Sequence, residues 1–137
     1  MKNLTMLCIA FLLIGLSACN SQTQQSTNQE SIAETIDAEN FERLFIEKGG
    51  QLLDVRTEYE YQNQNHLKNA VNINIDGNNF GEEALNSLDK NKPVFVYCAA
   101  GGRSKLAMDS LNKMGFKEIY NLKGGITNWK AAGKAVE

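Results

Sequence analysis

One proline, Pro93, and one histidine, His66, are all that the 137 residues hold of either type. So little proline, together with six phenylalanines, four tyrosines and Trp129, excludes collagen-like, mucin-like and wholly disordered chains. An excess of charge of one sign is also missing. The 14 Lys+Arg against 16 Asp+Glu give a formal net charge of −2, which argues against a basic nucleic-acid binder. No P-loop, dinucleotide fingerprint or metal-ligand cluster occurs, so neither a cofactor nor a metal is implied. With His66 as the sole imidazole, a Cys–His catalytic pair has one candidate base, and nothing in the sequence places it beside a cysteine. The length suits one ordinary domain.

The longest apolar run, residues 4–16, is broken only by Thr5 and Gly15 and falls short of the about 20 residues a bilayer-spanning helix needs. Lys2 before it and small residues after it make the pattern of a cleaved export signal, against the alternative of a buried N-terminal helix. The segment Leu16-Ser17-Ala18-Cys19 resembles the lipobox of bacterial lipoproteins, which implies a signal peptide over residues 1–18 and lipid on Cys19. More than one acyl chain gives stable anchoring, so the expectation is an exported lipoprotein held at a periplasmic or cell-surface membrane face. Residues 20–31 contain no apolar side chain and cannot repay the entropy of ordering. Residues 19–31 are therefore expected to be a lipidated tether, with a Gln/Asn-rich assembly segment as the alternative. Processing removes Lys2 alone among the charged groups and takes the net charge to −3.

Of the three cysteines, Cys8 leaves with the signal and lipid blocks Cys19, so Cys98 becomes the one free thiol. A lone thiol in an exported protein is either buried and inert or has work to do. Its neighbours decide which.

From residue 32 to 137 short apolar runs alternate with helical patterns, the signature of an α/β domain with a mainly parallel sheet. Asp37 caps a helix bearing Phe41, Leu44 and Phe45, ended by Gly49-Gly50. Strands are expected at residues 51–55, 70–75, 94–97 and 118–122, with 94–97 central. Thr57 and Glu60 have capping-box spacing for a short helix. Further helices are expected over residues 81–88, after Gly101-Gly102 with Leu106, Ala107, Leu111 and Met114 as the apolar face, and over 126–132.

Cys98-Ala99-Ala100-Gly101-Gly102-Arg103-Ser104 joins the central strand to a helix, and ligands of open parallel sheets bind at the carboxyl ends of strands. Ala99, Ala100, Gly101 and Gly102 have almost no side chains, so successive N–H groups can converge on one point, the Cys98 sulfur. Such a nest favours the thiolate, and Arg103 adds a permanent cation.

These residues carry a resemblance. Cys98-x-x-Gly101-x-Arg103-Ser104, with Leu53-Asp54-Val55-Arg56, His66-Leu67 before Ala70-Val71-Asn72-Ile73, and Gly124-Gly125 with Trp129, resembles a single-domain rhodanese over about residues 32–132. The resemblance implies a rhodanese-like fold, a five-stranded sheet flanked by helices on both faces. It also implies a sulfur-carrying nucleophile at Cys98 and an active-site loop over residues 99–103. Asn65 replaces the glycine usual before His66, and Lys68-Asn69 stands where Pro-Gly is common. Arg56 is a secondary site candidate, although Asp54 and Arg56 also suit a structural ion pair, and His66 and Trp129 read as structural.

The expected chemistry is two-step sulfur transfer: the Cys98 thiolate takes the outer sulfur of thiosulfate or a similar small-molecule donor, and a thiol or cyanide removes it. Arg103, with Lys105 as a possible second cation, would guide the anionic donor. Alternatives are a carrier that hands its persulfide to a protein acceptor, a tethered binding module, and a cysteine phosphatase or arsenate reductase. The last two families have a loop one residue longer than the four residues that separate Cys98 from Arg103.

Overall fold

The structure, a computed structural model, describes residues 30–137. The expected signal peptide, Cys19 and nearly all of the tether lie outside the described residues. Ten elements follow in order: β1 (Ile32–Ile36), α1 (Ala38–Lys48), β2 (Gln51–Asp54), α2 (Glu58–Asn63), β3 (Val71–Asn72), α3 (Phe80–Ser87), β4 (Val94–Tyr97), α4 (Gly102–Lys113), β5 (Glu118–Leu122) and α5 (Gly125–Ala131). The strands form one sheet in the order β1-β5-β4-β2-β3, every pair parallel.

β4 is central because Val94, Phe95, Val96 and Tyr97 are apolar without a break, which suits a strand covered on both faces. All four are fully buried. The pleat sends Val94 and Val96 to one side, with Leu53, Ala84, Ala107, Met108, Leu111 and Ile119. Phe95 and Tyr97 go to the other side, with Phe41, Leu52, Tyr120, Leu122, Ile126 and Trp129. Helices α3 and α4 cover the first face, and α1 and α5 the second. Phe95 is the hub of the second layer, edge-on to Phe41 and Phe45 at centroid distances of 5.2 and 5.3 Å and stacked on Tyr120 at 5.1 Å.

Local signals set most boundaries. The Asp37 carboxylate accepts the Asn40 N–H at 2.9 Å to start α1, and Gly49 caps its end. Thr57 and Glu60 complete a reciprocal capping box on α2. Three expectations change. The strand expected over residues 70–75 is reduced to Val71–Asn72, although Ile73 and Ile75 still donate to Asp54 and Val55 of the neighbouring chain segment. β1, for which no local pattern was singled out, is an edge strand added beside β5. On α4 the expected face is rotated: Leu106 is 62% exposed, while Ser104, Ala107, Met108 and Leu111 are buried. At about 100° per residue, Leu106 lies some 200° from Ser104, so a helix that turns Ser104 inward must turn Leu106 out.

The turn before β3 uses Asn69 at φ 63°, the left-handed conformation that a glycine would adopt there and that asparagine tolerates.

Candidate active site

Cys98 follows β4 directly and stands at the carboxyl edge of the sheet, beneath the N-terminus of α4. Its sulfur accepts the Gly101 N–H at 3.1 Å and the Ser104 hydroxyl at 3.4 Å. The carbonyls of the same loop face the other way. The Cys98 carbonyl accepts the Ile126 N–H at 2.9 Å, and the Ala99 carbonyl accepts the Thr127 N–H and hydroxyl at 3.2 and 2.9 Å. The N-terminal turn of α5 thus draws the carbonyls outward, which leaves the amides free to point at the sulfur.

This arrangement demands glycine at two positions. Gly101 has φ 94°, and a Cβ there would meet the Gly124 nitrogen at 3.0 Å. Gly125 has φ 58°, and a Cβ there would lie 2.3 Å from the Cys98 carbonyl oxygen. Gly124-Gly125 is therefore the partner surface of the loop, the physical reason for a second glycine pair 23 residues after the first.

Burial works against the charged form of Cys98, which is only 2% exposed. The Ser104 hydroxyl and the amides of Ser104, Ala100 and Gly101 outweigh it and hold the thiol below its ordinary value. Ala100 and Gly102 are the exposed residues of the loop, whereas Cys98 beneath them is buried.

Arg103 is committed to an ion pair. Its guanidinium forks onto Glu60, donating to the two carboxylate oxygens at 2.8 and 2.7 Å. The same carboxylate accepts the Thr57 N–H and hydroxyl at 3.0 and 2.9 Å. Arg103 chiefly, and Thr57 with it, hold the Glu60 carboxyl at about 2 in spite of partial burial. Pairing with Glu60 in turn pushes Arg103 well above its ordinary value.

The other sequence candidates are engaged elsewhere. Arg56 is 1% exposed, and its guanidinium donates to both oxygens of the fully buried Asp54 and to the Asn65 carbonyl. Lys105 is exposed and paired with Asp109 one helical turn on. The His66 ring stacks on Tyr61 at 4.2 Å, and its backbone pairs with that of Glu137 in both directions. Trp129 lies in the second core layer and donates its indole N–H to the Ala135 carbonyl at 2.9 Å.

Cys98, residues 99–103 and Ser104 are thus brought together. Two participants were not singled out as site residues from sequence. Ser104 was visible as the last residue of the loop motif, and helical spacing from the loop would have turned its hydroxyl toward Cys98. Glu60 was visible only as the third residue of a capping box, 43 positions from its partner.

Comparison with known proteins agrees with the fold. The chain is 40% identical over 96 residues to tRNA uridine(34) hydroxylase of Pelagibacter ubique (strain HTCC1062), covering 69% of this chain and 31% of that protein. It spans about a third of the length of that hydroxylase. With the Bacillus subtilis (strain 168) protein YqhL it shares 36% identity over 107 residues, 78% of this chain and 80% of the relative. Thiosulfate sulfurtransferase GlpE of Coxiella burnetii (strain RSA 331 / Henzerling II) is 38% identical over 81 residues, 58% of this chain and 71% of that enzyme. Among solved structures, a rhodanese-like domain from Anabaena sp. superposes with a TM-score of 0.65 at 30% identity, covering 75% of this chain and 77% of that one. A Rhodanese-like domain matches residues 37–132, and the chain belongs to the rhodanese family.

Proposed function

We propose that the protein is a sulfurtransferase that carries sulfane sulfur on Cys98. The Cys98 thiolate attacks the outer sulfur of thiosulfate or a similar donor, the donor's S–S bond breaks, and sulfite departs with the bonding electron pair. A Cys98 persulfide remains. An acceptor thiol, or cyanide, then attacks the outer sulfur and returns Cys98 as thiolate. The loop amides stabilise negative charge on the sulfur being transferred, without reorganisation at the moment of reaction.

The observation that carries this reading is the convergence of the Gly101 amide and the Ser104 hydroxyl on Cys98 Sγ. The name of the GlpE relative supports the reaction class. The Arg103 fork, engaged by Glu60, favours sulfur transfer above the phosphatase reading, which needs that fork for a tetrahedral oxyanion.

The test is cyanolysis. Purified protein with thiosulfate and cyanide should form thiocyanate, Cys98→Ser should form none, and mass spectrometry after thiosulfate alone should find one added sulfur on the Cys98 peptide. Absence of both signals rejects the reading, and release of phosphate from an aryl phosphate replaces it. The membrane anchor belongs to the same proposal: labelled fatty acid should enter the protein in a bacterial host and should be lost with Cys19→Ala.

A further inference from the structure

Thiosulfate is a dianion, and unpaired cations, bidentate arginine above all, strengthen the binding of dianions. The cation in this active-site loop is not unpaired. Both terminal nitrogens of Arg103 are held by Glu60, and Glu60 is anchored in turn by the amide and hydroxyl of Thr57, so the acceptor is fixed before any ligand arrives. The nearby Lys105 is on Asp109, and Arg56 is buried on Asp54. Besides Glu60, Arg103 experiences the negative charge of the Cys98 sulfur and then of the Asp76 carboxylate, in the segment after β3.

From this we infer that Glu60 is a specificity-determining residue: by occupying the Arg103 fork it withholds a cation that would favour a dianion, and the preferred sulfur donor is an organic persulfide. The inference rests on the sulfurtransferase reading. In the reaction, the Cys98 thiolate attacks the outer sulfur of R–S–SH and forms the new S–S bond. The donor's S–S bond breaks, and R–S leaves as a thiolate with the electron pair. The proton stays on the outer sulfur, so the products are Cys98–S–SH and R–S⁻, with no change in total charge and no external oxidant or reductant. A persulfide presents a single sulfur with at most one charge, which the amides around Cys98 can accommodate without Arg103.

The experiment compares donors on the full chain. Glutathione persulfide and thiosulfate are the probes, and the rate of sulfur addition to the Cys98 peptide is followed by mass spectrometry for wild type, Glu60→Gln and Glu60→Gln/Arg103→Ala. Glutamine at this position still closes the capping box, so α2 keeps its start. The expected results are a higher kcat/KM for the persulfide in wild type, a ratio of thiosulfate to persulfide about tenfold higher in Glu60→Gln, and return of that ratio in the double variant. A merely structural role for Glu60 lowers both rates together and leaves the ratio unmoved, which overturns the inference. Faster loading from thiosulfate in wild type also overturns it, while leaving the sulfurtransferase reading intact. Failure of both donors to load Cys98 rejects the two together.

Discussion

The Gly101 amide points at Cys98 Sγ from 3.1 Å while Gly101 itself sits at φ 94°, with the Gly124 nitrogen 3.0 Å from where its Cβ would be. The donor to the sulfur and the residue that permits it are one. The neighbouring glycine has no such constraint: Gly102 begins α4, and a Cβ there meets nothing within 4 Å.

That difference separates two substitutions. Gly101→Ala should destabilise the fold by about 1–3 kcal/mol and depress sulfur loading, since it strains the loop and displaces a donor. Gly102→Ala should leave stability unchanged or raise it by about 0.4–1 kcal/mol through the unfolded chain. Urea unfolding midpoints for the pair check both, and equal loss in the two variants would contradict the packing described for the loop.

Cys98 should alkylate at the thiolate rate at pH values where an ordinary thiol, near pKa ~8.5, is mostly protonated. Removing the hydroxyl donor with Ser104→Ala should move the midpoint of the alkylation profile upward, each unit costing about tenfold in rate at neutral pH. Because folding lowers this pKa, the thiolate's contribution to stability is full above the unfolded value and disappears as pH falls through the folded one. Iodoacetamide labelling of the Cys98 peptide across pH measures the shift. A profile centred on the ordinary thiol value would remove the basis for an activated nucleophile.

The Glu60 carboxyl, held at about 2, makes the second pH prediction. Its pairing with Arg103 stabilises the native state fully above the unfolded carboxyl value of ~4.3 and is lost as pH falls toward 2. Glu60→Gln should therefore cost about 1–2 kcal/mol near neutrality. The gap between variant and wild-type unfolding curves should close in acid. A gap independent of pH would mean that the charge on Glu60 contributes nothing.

Arg56→Ala should be among the most damaging single changes, at about 3–5 kcal/mol, since it leaves the fully buried Asp54 carboxylate without its partner. Removal of Asp54 and Arg56 together, by replacement with apolar residues of similar volume, should cost less than the single change, as paired charges pay a desolvation cost that an apolar pair does not. Chemical unfolding of the three proteins decides it. A double variant worse than Arg56→Ala would show that the pair has a further role at the site.

Much of the fold was legible because its signals are local. The Asp37 cap, the Thr57–Glu60 box, the unbroken apolar run of β4 and the small residues after Cys98 each act on neighbours a few positions away, where spacing along the chain is spacing in space. The errors lie where partners are remote. Leu106 reads as core by its apolarity, but Ser104 must face Cys98, and that choice rotates α4 and leaves Leu106 in solvent. β1 has a weak pattern because an edge strand with one neighbour is half exposed, and its place depends on β5, which follows it by more than eighty residues.

What the sequence alone determined is a parallel α/β domain with a single free thiol in its folded part, set in a loop whose composition lets backbone amides gather around sulfur. Only the tertiary structure decided how the charges are spent. Arg103 looks like an anion-binding fork until the fold brings Glu60 of α2 within its reach, and Arg56 looks like a second until burial pairs it with Asp54. The physical reason is that backbone donors are positioned by local dihedral angles, whereas the long, flexible arginine side chain takes its direction from whichever carboxylate the fold brings within reach.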